Sequence, residues 1–195
     1  VHVPIAGLAL MPLLFGMPLM LFPIQIALLE MVIDPACSIV FEAEREERDV
    51  MQRPPRSPNT PVLPRKAALW AALQGLTALA IVAAALFWGS YVSLPEDQLR
   101  ALIFTALVLM NISLIFVNRS FRSSLREALL RPNWSLWVLV SAALLVLAIA
   151  LYWPPAQTLF RFGPLHPNDL LGCIAGGALL VTVLEGMKAL GNTRE

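Results

Sequence analysis

The chain has 195 residues, of which 58% are hydrophobic and 14% are charged, and its formal net charge is +1. A soluble domain carries roughly 25% charged residues, so this deficit and a mean hydropathy of +0.72 exclude an ordinary soluble domain and predict a membrane protein. The near-neutral charge argues against a nucleic-acid partner, which would require a basic patch. Cys37 and Cys173 lie in apolar stretches and are expected to pack rather than to form disulfides.

Several apolar stretches approach the length of a membrane-spanning helix, which is about 20 residues. In chain order these predicted spans are 3–21, 24–41, 67–92, 102–117, 134–153 and 170–190. The sequence therefore predicts an all-α, polytopic transmembrane helical bundle with about six spans over residues 1–195. Because apolar sequence begins at once at Val1, with no basic leader, we expect this start to lie inside a larger protein.

The connections between the predicted spans differ in charge. Those at 42–66 and 118–133 are rich in arginine, whereas the opposite side carries only Arg100 and Arg161. Cytoplasmic loops carry an excess of Lys and Arg. We therefore predict a multi-pass protein of the cell membrane, plasma or inner, with a cytoplasmic loop at 42–66 and both termini in the cytoplasm. The prolines and mixed charges of that loop are typical of a solvated spacer, although it could also dock a cytoplasmic domain.

Two acidic residues, Glu30 and Asp34, interrupt the second predicted span. Because they are four residues apart, a helix places both carboxylates on one face about one turn from each other. A carboxylate at bilayer depth costs several kcal/mol unless it faces protein or water, and a second one adds repulsion. A metal cation or protons would relieve both costs, so the pair predicts a cation site. In the alternative, one acid is protonated and both hydrogen-bond to neighbouring helices.

Pro35 follows Asp34 directly and cannot donate to the carbonyl of Met31. Local unwinding there would free main-chain carbonyls near Met31 and Pro35 as helper ligands, whereas membrane helices also tolerate proline as a simple kink. Asn111, in the fourth predicted span, is a further candidate helper that could instead hydrogen-bond to a neighbouring helix.

Other features of the sequence indicate packing rather than chemistry. Gly172 and Gly176 form a GxxxG pattern, which is typical of a close contact between helices. His2 and His166 are isolated along the chain and do not indicate a metal cluster. The sequence has no G-x-x-x-x-G-K-[ST] loop to cradle phosphates, so we do not expect this chain alone to hydrolyse ATP.

Three stretches of the sequence carry recognisable motifs: GMP at 16–18, FPIQIALLEMVIDP at 22–35 and DVMQRPPR at 49–56. They resemble the calcium-pump-like branch of the P-type cation-transporting ATPases. In that family a Gly-x-Pro turn joins the fifth and sixth membrane helices, the sixth opens with Pro-hydrophobic-Gln, and a D-x-M-x-x-P-P-R loop follows. All three occur here in the family's order and spacing, and RPNW at 131–134 adds a fourth likeness.

The resemblance implies that this chain is the C-terminal transport portion of such a pump, its helices five to ten. The phosphorylated aspartate and the nucleotide-binding and actuator domains would lie upstream, so ATP and Mg²⁺ would act only through them. The implied partners are the lipid bilayer and the N-terminal transmembrane and cytoplasmic domains of the same pump. By position, Asp34 matches the family's sixth-helix ligand aspartate and Glu30 replaces an asparagine ligand.

The sequence also departs from the calcium pumps at positions that the resemblance makes important. Ile33 stands where they have a threonine ligand. Ungapped counting puts His2 and Ile5 at fifth-helix ligand positions, where Ile5 replaces a carboxylate, and the eighth-helix carboxylate falls at Val108. One of the two calcium sites would then be lost, which predicts that a single ion is carried.

We therefore expect a membrane domain that supplies part of the cation site and translocation pathway of a P-type pump. Oxygen ligands such as those of Glu30 and Asp34 favour Ca²⁺, Mg²⁺ or Mn²⁺ over soft metals. One alternative is a self-contained six-helix secondary transporter or channel, although only the second span carries acidic residues at depth and no inverted repeat is visible. The other is a non-transporting structural fragment.

Overall fold

The computed structural model describes residues 2–43, 51, 64–119 and 133–192, without the side chains of residues 34, 36 and 190–192. These residues form helices joined by short connections, and none of them lies in a strand. In chain order the helices are α1 (His2–Phe15), α2 (Pro23–Glu42), α3 (Arg65–Tyr91), α4 (Glu96–Asn118), α5 (Trp134–Tyr152), α6 (Pro154–Phe160) and α7 (Pro167–Asn192). The prediction of an all-α helical bundle is confirmed.

Five of these helices, α2, α3, α4, α5 and α7, are long and apolar enough to cross a membrane. The sixth apolar segment, α1, has 14 residues. At 1.5 Å per residue it is about 21 Å long, which is shorter than the hydrocarbon core of roughly 30 Å. The described chain is therefore a polytopic bundle of five full-length helices and one shorter apolar helix.

The first helix ends at Phe15, well before the end expected for the first span at residue 21. Gly16 adopts a φ of 64°, in the left-handed region that glycine enters without steric cost. The N–H of Met17 then donates to the carbonyl of Pro12 at 3.1 Å, which closes the helix with a Schellman-type bond. A non-helical connection leads from there to α2.

The start of α2 is fixed by proline and glutamine. Pro23 occupies the first turn, where its missing N–H costs no hydrogen bond. Gln25 is fully buried, and its Oε1 accepts the N–H of Phe22 at 2.9 Å while its Nε2 donates to the carbonyl of Phe160 at 2.6 Å. One side chain therefore caps α2 and joins it to the end of α6.

The centre of the bundle is α4, which is buried along most of its length and packs against α2, α3, α5 and α7. It begins at Glu96, earlier than the predicted start at residue 102, and so includes Arg100. The buried Arg100 guanidinium donates to the carbonyls of Arg161 and Leu19 at 3.0 and 3.5 Å. These bonds let a charged residue sit inside the bundle, because a buried charge needs polar partners.

Phe22, at the start of α2, receives two cationic neighbours. The guanidinium carbons of Arg100 and Arg161 lie 4.8 and 5.0 Å from the centre of its ring. Cations at this distance are attracted by the negative face of an aromatic ring. Together with Gln25, these contacts hold the beginning of α2 against α4 and the end of α6.

Candidate cation site

Glu30 lies in the middle of α2, and its Oε1 is 3.3 Å from Nδ1 of His2 at the start of α1. The Glu30 side chain is 36% exposed and that of His2 is 69% exposed. His2 is isolated along the chain, and the fold brings its side chain to Glu30, a contact that distance along the chain does not reveal. The signal that does point to His2 is the ungapped match to a fifth-helix ligand position.

Asp34 belongs to the same helix, but its side chain lies outside the described residues. Its backbone is helical and follows Glu30 by four residues. Position 34 is therefore one turn further along α2 and roughly 40° further around its axis. That Glu30 and Asp34 act together stays a prediction from this helix geometry.

The face of α2 that bears Glu30 is not the face that packs into the bundle. Leu29 and Ile33 belong to the buried core, and each residue turns the helix by about 100°. Glu30 is thus about a quarter-turn away from the buried face, and the next residue, Met31, is 69% exposed. Glu30 therefore lies at the border between the packed side and the open side of α2.

The expected unwinding at Pro35 is not found, because α2 is helical from Pro23 to Glu42 without interruption. The physical reason is that a proline removes a single donor, and the neighbouring turns of this helix retain theirs. The carbonyl of Met31 still receives no α-helical N–H from residue 35. The Met31 carbonyl oxygen, close to Glu30 and Asp34 along α2, therefore lacks its α-helical donor even though the helix does not break.

Asn111 of α4 is fully buried, and neither its amide nitrogen nor its amide oxygen has a hydrogen-bond partner among the described residues. It lines a cavity of about 10 Å³ together with Val32 and Ile33 of α2. A buried polar group without a partner costs about 1–3 kcal/mol. An unsatisfied amide facing the helix of Glu30 and Asp34 is therefore a feature that packing alone does not explain.

The positions at which the resemblance to calcium pumps would place further carboxylates are apolar and buried. Ile5 of α1 is 6% exposed and Val108 of α4 is 5% exposed, and both belong to the main hydrophobic core. Ile33 is buried with them. These side chains supply no oxygen to a cation.

The remaining candidates lie elsewhere. A cavity of about 390 Å³ between α3, α4 and α7 is lined mostly by apolar groups, together with Asn168 and Asp169 at the start of α7. A Cβ on Gly176 would lie 3.0 Å from Cε of Met110, whereas a Cβ on Gly172 would have no heavy atom within 4 Å, so a close helix contact is found at one of the two glycines of the GxxxG pattern. His166 precedes α7. In the described ranges, which omit the Asp34 side chain, no three or more His, Cys, Asp or Glu residues form a metal-binding group.

A bundle of long apolar helices defines a polytopic membrane protein, and Glu30 is a half-buried acid on one of these helices. A family model described as cation transporting ATPase, C-terminus, matches residues 18–190. The chain belongs to this family. It is the membrane-embedded C-terminal region of a cation-transporting ATPase, and the resemblance to P-type pumps is confirmed.

A similar protein is the calcium-transporting ATPase of Bacillus subtilis (strain 168), which is 28% identical over 181 residues. The aligned part covers 91% of this chain and 20% of that relative. The chain thus spans about a fifth of the length of the curated relative that it matches. The family match identifies the chain as a membrane transport domain.

Proposed function

We propose that this chain supplies part of the cation-binding site and translocation pathway of a P-type ATPase, with Glu30 and Asp34 as carboxylate ligands. The observation that carries this proposal is the position of Glu30, half-buried on a membrane-spanning helix with an imidazole nitrogen 3.3 Å away. An acid at this depth costs several kcal/mol unless it faces a cation or a polar partner. The imidazole of His2 is one such partner, and a transported cation bound by the carboxylate would compensate its negative charge more fully.

Two groups of the chain support the carboxylates in this proposal. Asn111 offers a buried amide oxygen without a hydrogen-bond partner in the described chain, on the helix that packs against α2. The Met31 carbonyl has lost its α-helical donor to Pro35. Each adds a neutral oxygen, the kind of ligand that completes a cation shell without adding charge.

The other domains of the pump would supply the energy for transport and the remaining parts of the cation site. The matched relative transports calcium by its name, so Ca²⁺ is one candidate ion, and oxygen ligands suit Mg²⁺ and Mn²⁺ as well. ATP and Mg²⁺ would act through phosphorylation and nucleotide-binding domains encoded upstream. These domains and the N-terminal helices would be the partners of the chain, with its termini and its 42–66 loop in the cytoplasm.

The proposal is tested by transport of radioactive Ca²⁺ and Mn²⁺ in membrane vesicles that contain the full-length protein. In inside-out vesicles the wild-type protein should accumulate ions when ATP is added outside, because the proposed orientation places the ATP-binding side there. The double variant Glu30→Gln, Asp34→Asn should reduce uptake to background, since both ligand charges are lost while the side-chain sizes are kept.

The control for this experiment is Glu185→Gln. Glu185 is paired with Lys188 at 2.8 Å in α7 and lies outside the proposed site, so uptake should be retained. Membrane insertion of each variant is measured by its amount in washed vesicles. If the double variant inserts and still transports at the wild-type rate, Glu30 and Asp34 are not the ligands.

A further inference from the structure

We propose that His2 is a third side-chain ligand of the cation site, and that its nitrogen makes the site selective for first-row transition-metal dications such as Zn²⁺, Fe²⁺ or Co²⁺ over Ca²⁺. This inference rests on the proposed function of Glu30 and Asp34 and adds the class of ion. It starts from the contact between the His2 imidazole and the Glu30 carboxylate across the α1–α2 boundary.

The distance between the two side chains suits a shared metal ion. Zn²⁺ binds imidazole nitrogen at about 2.0–2.1 Å and carboxylate oxygen at about 2.0–2.2 Å in a tetrahedral arrangement. Two such ligands are therefore roughly 3.3–3.5 Å apart. His2 Nδ1 and Glu30 Oε1 are separated by 3.3 Å, so an ion could join them with little movement of either helix.

The number of ligands also distinguishes the ions. Ca²⁺ takes about 6–8 oxygen ligands, but the positions that would supply more of them, Ile5 and Val108, are apolar and buried. Zn²⁺ needs about four ligands, and three from protein side chains with one open position are sufficient. His2, Glu30 and Asp34 would be such a three-ligand set.

The chemical type of the ligands points the same way. Imidazole suits Zn²⁺, Fe²⁺ and Ni²⁺, whereas Ca²⁺ and Mg²⁺ prefer oxygen alone. His2 is 69% exposed and Glu30 is 36% exposed, so the described helices leave both side chains partly uncovered on the open side of α2. An incoming ion could bind there, and its last position would be filled by water or by an upstream residue.

The inference is tested by measuring the binding of Zn²⁺, Co²⁺ and Ca²⁺, each alone, to the purified full-length protein in lipid nanodiscs by titration calorimetry. In His2→Asn an amide replaces the imidazole. We expect Zn²⁺ affinity to fall by at least roughly tenfold, as losses of 10–100-fold follow even from disturbing an outer partner of a metal ligand. Ca²⁺ affinity should stay the same or rise. The matched control is His166→Asn, which should change neither affinity.

A second measurement needs no variant. X-ray absorption of the Zn²⁺-loaded wild-type protein should show the multiple-scattering signal of one bound imidazole. Equal affinities of wild type and His2→Asn for Zn²⁺, or an absorption spectrum without imidazole, would overturn the role of His2. If Glu30→Gln, Asp34→Asn still binds every ion as tightly as wild type, the proposed function itself fails. The two failures are therefore distinguishable.

Discussion

Asn111 presents an energetic problem that its surroundings in the described chain do not solve. Both polar atoms of its side chain are buried and have no hydrogen-bond partner in the part of the chain that the structure describes, at a cost of about 1–3 kcal/mol. A leucine of similar size would fill the same space without this cost. Its presence opposite Val32 and Ile33 is explained if the amide serves the cation rather than the fold.

We therefore predict that Asn111→Leu weakens ion binding without lowering the stability of the protein. Without added metal, the melting temperature of the variant should equal or exceed that of wild type, because an unsatisfied polar group is removed. Its affinity for the transported ion should fall by about tenfold, equivalent to about 1.4 kcal/mol. Thermal unfolding and calorimetric titration on the same preparation measure both. A lower melting temperature with unchanged ion affinity would show that Asn111 is structural.

For individual residues, the sequence predicted those spacings that depend only on the period of an α-helix. The one-turn spacing of Glu30 and Asp34 follows from their separation of four residues once α2 is helical. The contact of His2 with Glu30 depends on where the fold places the start of α1. That Asn111 has no partner among the described residues depends on which side chains α2 turns toward α4. Such neighbours are decided by packing between helices, which no local pattern contains.

At the scale of the helices, α1 carries one of the proposed ligands but is the shortest of the apolar segments. It is held in place by α3, against which it packs. The contact is close at Gly75, where an added Cβ would lie 2.8 Å from Cβ of Val3. The absence of a side chain at Gly75 therefore lets the start of α1, and with it His2, approach the bundle.

We predict that Gly75→Leu displaces α1 and weakens the cation site. The larger side chain should destabilise the protein by about 1–3 kcal/mol through overpacking, and Zn²⁺ affinity should fall with it because His2 moves away from Glu30. Gly186→Leu is the matched control, since a Cβ there has no heavy atom within 4 Å. Thermal unfolding and ion titration of both variants measure the effect. Equal behaviour of the two variants would contradict the role given to the α1–α3 contact.

The observed helix boundaries show which local sequence signals predicted the ends of the helices. The predicted fifth span, 134–153, nearly coincides with α5, because Asn133 caps its start by accepting the N–H of Leu136 at 3.0 Å. The first span was predicted too long, since hydropathy continues through Gly16 while the backbone turns there. The start of α4 was predicted too late, since charged residues in its first turn lower the hydropathy but do not stop the helix.

At the scale of the whole molecule, composition and the lengths of the apolar runs were enough to predict a polytopic helical bundle. They did not predict that α4 would be the central helix. Buried residues lie on nearly every side of α4, and α4 contacts four other helices. Its hydropathy, however, differs little from that of α5. The central position follows from long-range packing and explains why α4 can place Asn111 against α2.

Locating a bound ion would show whether a cation meets the acidic flank of α2. Crystals of the full-length protein grown with Mn²⁺ would be measured at the manganese absorption edge, where the anomalous signal marks the ion. We expect a peak about 2–2.5 Å from a carboxylate oxygen of Glu30, between α1 and α2. A Glu30 side chain turned toward lipid, with every manganese peak located elsewhere, would contradict it.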